Sequence, residues 1–122
     1  FLTDDEIEYL IYAIIDQYKL FIETNSIKQY QFIILPPAWY FDKNQLKKFN
    51  YGFENEEFLS LFNDYDYYYN KMQNNLEIIS KKLKKDGIDY FLIDHFDNPE
   101  RSFLKTDYHL NEIGHDEVFK KF

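Results

Sequence analysis

The sequence predicts an α/β fold, a parallel sheet flanked by helices, from three observations. Two short runs, Tyr30–Leu35 and Ile88–Ile93, read as strands, and the first is continuously apolar rather than alternating, the pattern of a strand covered on both faces. Two long segments, 4–23 and 64–85, repeat apolar residues at helical spacing. The order helix, strand, long helix, strand, helix is the alternation that parallel neighbours require, because each needs a crossover. At 122 residues the chain forms one domain, 1–122, large enough for a single core.

Each element has a local cause. Thr3-Asp4-Asp5-Glu6 is a capping box, and Ile7, Leu10, Ile11, Ile14, Tyr18, Phe21 and Ile22 form the stripe expected to pack on the sheet. Thr24-Asn25-Ser26 breaks that helix. The first strand ends at Pro36-Pro37, which cannot extend a ladder. Residues 38–53 form an aromatic segment without a clean period, and 54–62 fit a short helix. Asn63-Asp64 cap the long helix, whose stripe is Tyr65, Tyr68, Met72, Leu76, Ile79 and Leu83. Lys81, Lys82, Lys84 and Lys85 fall in its last two turns, where cations suit the helix dipole, and Gly87 supplies a left-handed cap. The turn at Asp94–Pro99 ends the second strand. Asn111 caps a final helix running to Phe122, with Ile113, Val118, Phe119 and Phe122 as its expected buried face.

Composition narrows the function. A net charge of −8 argues against nucleic acid, which needs clustered Lys and Arg. The chain has no cysteine, which removes disulfides, thiolate metal sites and cysteine nucleophiles. No apolar run approaches the roughly 18 residues of a membrane span. Twelve Tyr and 13 Phe are more than one small core can hide, so many rings are expected at the surface.

Ligands of open α/β sheets gather at the carboxyl ends of strands. Three candidate loops fall there: Pro36–Tyr40, Asp94–Asp97 and Asp107–His109. In the last, a carboxylate two residues before a histidine can fix the imidazole tautomer while the other ring nitrogen faces a substrate. His95 and His115 have no such orienting residue by spacing and read as surface histidines, His115 facing solvent. His95, Asp97, Asp107 and His109 include no pair at helical i, i+4 spacing, so no metal and no cofactor is expected.

Asp107-x-His109-Leu110-Asn111-x-x-Gly114 before a terminal amphipathic helix resembles the closing motif of the SGNH (GDSL-like) hydrolase and acyltransferase superfamily. The likeness spans about residues 30–122 and includes Pro36-Pro37 followed by Trp39-Tyr40. Asp-x-His in place of Asp-x-x-His is similar to the polysaccharide O-acetyltransferase-like branch, and these features together with the long Tyr-rich helix resemble the SGNH-type acyltransferases, which include that branch and the teichoic acid D-alanyl transfer branch. The resemblance implies an SGNH/flavodoxin-like three-layer sandwich, here a partial domain. It implies His109 as general base, Asp107 as its orienting carboxylate, and Trp39 and Tyr40 against a carbohydrate or acyl-ester substrate. It further implies an extracytoplasmic or membrane-associated setting.

The chain departs from the superfamily in lacking its serine. Ser26, Ser60, Ser80 and Ser102 all stand outside a Gly-Asp-Ser turn, and the Gly and Asn blocks of the oxyanion hole are absent too. The nucleophile is therefore expected upstream of Phe1. The competing reading is a non-catalytic α/β interaction module in which Asp107 and His109 brace the last helix. For Trp39 and Tyr40 the competing reading is that the loop simply covers the sheet edge. Oligomeric state is not legible from these residues.

Overall fold

The computed structural model describes residues 2–48, 63–104 and 109–121. Helix α1 spans Asp4–Thr24, and the Thr3 hydroxyl accepts the Glu6 N–H at 3.2 Å, one half of the capping box. The helix ends in a Schellman turn: Ser26 N–H reaches Glu23 O and Ile27 N–H reaches Ile22 O. Ser26 takes the left-handed position, with φ 52°.

Strand β1 covers Phe32–Ile34 and β2 covers Tyr90–Leu92. Each is shorter than the apolar run that contains it, because a strand exists only where a neighbour completes the ladder. They pair in parallel, with Phe32 N–H donating to Asp89 O (2.9 Å) and Ile93 N–H to Ile34 O (3.0 Å). Between them come a short helix α2 (Ala38–Phe41), a 3-10 turn at Lys43–Lys48, and the long helix α3 (Tyr65–Lys85). A second Schellman turn closes α3, with Gly87 at φ +69° and Ile88 N–H on Leu83 O. Helix α4 spans Glu112–Lys120 after a 3-10 turn at Pro99–Arg101. The described residues thus form a mixed α/β fold with four helices and a two-stranded parallel sheet. The expected helix at 54–62 lies outside them.

The chain divides into two compact units, Phe1–Ile33 with Lys71–Phe91, and Ile34–Asn70 with Leu92–Phe122. In the first, Ile15, Leu76, Leu83 and Ile88 are buried. There α1 meets α3 through polar groups as well: Lys82 Nζ lies 2.9 Å from Asp86 and 3.1 Å from Asp16, Lys19 approaches Asp86 at 3.4 Å, and Lys82 sits over the Tyr12 ring. Lys82 is therefore spent on structure, in keeping with the helix-closing reading of the lysine cluster. The hydrogen bond from Lys82 holds the Asp86 carboxyl below the ordinary carboxylate value, and Asp86, then Asp16, holds the Lys82 ammonium above its own.

The stripe expected on α1 needs correction. Leu10, Ile14, Tyr18 and Phe21 are exposed, and the helix turns Ile15 inward instead. Residues 10, 14 and 21 lie opposite the side bearing Tyr12, Asp16 and Lys19, which α3 occupies. The α3 stripe fares better: Leu76 and Leu83 are buried and the rest of it is half-buried.

In the second unit Phe41, Phe96 and Phe103 pack ring to ring, at centroid distances of 4.7 Å, 5.3 Å and 6.3 Å, and Ala38 and Ile93 are buried in the same unit. The expected buried face of α4 is corrected as well, because Ile113 and Phe119 are exposed and Gly114 is buried. Phe122 lies outside the described residues.

Candidate functional site

Residues 101–104 and 109–114 are joined by hydrogen bonds centred on Asn111. Phe103 and Leu110 form an antiparallel bridge, and Leu104 N–H donates to His109 O at 2.8 Å. Asn111 uses both ends of its amide. Its oxygen accepts Gly114 N–H at 2.9 Å, capping α4, while its NH2 donates to Arg101 O (2.6 Å) and Phe103 O (3.2 Å). Its own backbone N–H donates to Ser102 O. Gly114 lies so close to Ser102 O and Leu110 Cδ2 that no side chain fits there. The Leu-Asn-x-x-Gly pattern is thus a packing device: it fastens the start of α4 to the preceding turn.

His109 sits one residue before this anchor, exposed, with its carbonyl held by Leu104. Asp107 lies outside the described residues. Trp39 and Tyr40 are half-buried on α2. The Trp39 ring meets Tyr65 edge to face at 6.2 Å, and Tyr65 Oη donates to Trp39 O at 2.9 Å. Tyr40 stacks on Tyr69 at 4.7 Å with planes 10° apart, so one of its faces is already occupied. Burial raises the Tyr65 phenol above its ordinary value, with smaller contributions from Tyr69 and Asp42. A shallow cavity of about 280 Å3 borders Tyr65, lined by Lys43 and residues 63–67. Trp39, Tyr40 and His109 all belong to the second unit.

Among the serines, Ser102 is fully buried, and its hydroxyl donates to Asn98 O at 2.8 Å and lies 3.3 Å from Glu117 Oε1. Glu117 also accepts Asp97 N–H at 2.8 Å, so one carboxylate braces the whole 97–102 turn. Ser26 is a helix-end residue, Ser80 is inside α3, and Ser60 lies outside the described residues.

The structure adds an Asp–His pair that spacing did not reveal. His95 Nδ1 lies 2.7 Å from Asp94 Oδ1, and its Nε2 lies 3.4 Å from Lys121 Nζ and 3.8 Å from Asp97 Oδ1. The bond to His95 lowers the Asp94 carboxyl. The pair stands at the carboxyl end of β2 but in open solvent, with His95 65% exposed, which screens its charges. Only the adjacency Asp94-His95 foreshadows it, and adjacent residues rarely share a direction. Among the described residues no three His, Asp or Glu side chains are grouped to hold a metal, and no helix is long and apolar enough to cross a membrane. Comparison with protein-family models, curated proteins and solved structures finds no match.

Proposed function

We propose that the chain is the C-terminal part of an SGNH-like serine acyl-ester hydrolase or acyltransferase acting on a carbohydrate or another hydroxyl-bearing substrate. What supports the reading is the setting of His109: an exposed residue whose backbone is held by Leu104 beside the Phe103–Leu110 bridge and the Asn111 cap. In this reading Asp107 orients the ring, and His109 takes the proton of a serine supplied from outside these residues as its oxygen bonds to the acyl carbon. The imidazolium then returns that proton to the departing alcohol oxygen. Water or an acceptor hydroxyl releases the acyl group by the same steps. A three-layer sandwich completed around the two strands, and sugar contacts by Trp39 and Tyr40, belong to the same reading.

The test is turnover of p-nitrophenyl acetate and of an acetylated polysaccharide by the protein that carries this segment. His109→Ala is expected to lower kcat on the order of a thousandfold or more, with the thermal unfolding profile unchanged. Retention of activity within about tenfold would overturn the assignment.

One observation favours a second reading, a non-catalytic interaction module. The Leu110-Asn111-x-x-Gly114 pattern has a complete structural explanation, and the Ser102 hydroxyl is already engaged. Absence of a Gly-Asp-Ser turn anywhere in the natural protein would decide for it.

A further inference from the structure

We propose that β1 is an interior strand of a larger sheet, and that one further uncharged strand, parallel to β1, pairs along its open edge beneath the outer face of α1. The inference deepens the sheet that the acyl-transfer reading calls for without resting on its chemistry, so its failure leaves the His109 test untouched. Because Phe32 N–H and Ile34 O serve β2, the N–H and C=O of Ile33 between them point the other way. Among the described residues β1 has β2 alone as a sheet neighbour. The run Phe32-Ile33-Ile34-Leu35 is nonetheless continuous and apolar, the composition of a strand with neighbours on every side. Ile33 is 49% exposed.

Helix α1 supplies the second half of the surface. The Tyr18 ring meets Phe32 edge to face at 5.7 Å, which puts α1 over β1. Beyond Tyr18, on the side turned away from α3, Leu10, Ala13, Ile14, Gln17, Tyr18 and Phe21 line an open groove of about 450 Å3. No charge lies in that lining, so it accepts uncharged side chains. Lys19, the only basic residue of α1, is held by Asp86, so no cation on α1 is left to attract an anionic lipid surface. On α1, Leu10, Ile14, Tyr18 and Phe21 each leave roughly 100 Å2 open, about 400 Å2 together, while Ile33 is exposed on the other face of the strand. That is within the range of the largest apolar patch of a monomer. It falls short of the ~800 Å2 each partner contributes to a standard complex, the scale of one strand rather than of a whole partner protein. A strand on this edge would send alternate side chains into the α1 groove and the others beside Ile33.

The experiment uses the 15N-labelled chain and a synthetic ten-residue peptide of alternating valine and threonine with a lysine at each end. Saturable one-to-one binding is expected, with exchange of the Ile33 amide slowed about tenfold or more and the amides of Ala13–Gln17 shifted. Ile33→Pro removes the outward N–H while sparing the bonds of residues 32 and 34, as proline permits on a strand edge. It is expected to abolish binding while Phe32 stays protected. Ile14→Glu should weaken binding by placing a charge in the groove. An Ile33 amide unmoved by saturating peptide, or equal binding by Ile33→Pro, overturns the proposal. So does a chain that sediments as a dimer with Ile33 already protected, which assigns the edge to a second copy. Uptake by phosphatidylcholine vesicles with Ile33 still exchanging freely assigns the face to lipid and overturns it too.

Discussion

A methyl group at position 114 would overlap Ser102 O and come within 2.8 Å of Leu110 Cδ2, and the first of these is backbone. Gly114→Ala must therefore push α4 off the 101–104 turn. A loss of about 2–3 kcal/mol is expected, read as a fall in the thermal midpoint by circular dichroism. Ser26 has the opposite problem, since it holds a left-handed φ of 52° with a side chain. Ser26→Gly relieves that and is expected to add about 0.5–1 kcal/mol; a urea midpoint that rises with unchanged slope checks it. The two residues also mark what the sequence can disclose about a site. Asn111 and Gly114 stand out in the sequence because a cap and a close approach have fixed spacings. The His95–Asp94 contact does not, because it depends on how a turn aims two adjacent side chains.

At the scale of elements, helix α1 was legible from its period and its cap, both of which are local. Its orientation was not. The helix carries two apolar sides, one with Ile11, Ile15 and Ile22 and another with Leu10, Ile14 and Phe21, and periodicity alone does not rank them. What ranks them is the ion cluster Lys19–Asp86–Lys82–Asp16 on the α3 side. Asp86 has a lowered pKa, so its contribution is complete above the unfolded carboxylate range and is lost as pH falls through the lowered value. Lys82 has a raised pKa, so its share is complete below the unfolded lysine value and is lost as pH climbs through the raised one. Asp86→Asn is expected to lose stability across the neutral plateau. It should also flatten both limbs, the acid one below about pH 4 and the alkaline one above about pH 10. Urea midpoints across that range check it; limbs as steep as in the parent would refute the assignment. The strands were legible as apolar runs, while their true lengths depended on a neighbour 58 residues away, as the Gln31–Asp89 bond illustrates.

For the whole molecule, 22 acidic residues against 14 basic ones leave a net charge of −8 to be held in a small volume. Self-repulsion of that sign is screened by salt, whose Debye length is about 10 Å at 0.1 M. Raising sodium chloride from about 10 to 150 mM is expected to lift the thermal midpoint by roughly 2–4 °C. A midpoint that falls instead would mean that the ion pairs outweigh the excess charge. The Schellman turn at the end of α3 bears on a different property, the chemical ageing of the chain. Among aspartyl sequences Asp-Gly is the most prone to cyclise to a succinimide, because glycine leaves its nitrogen unhindered to attack the aspartate carboxyl carbon with loss of water. In the folded protein the Gly87 N–H is committed to Lys84 O and the Asp86 carboxylate to two lysines. Ring closure there waits for local unfolding, so isoaspartate at position 86 records how long α3 has spent frayed.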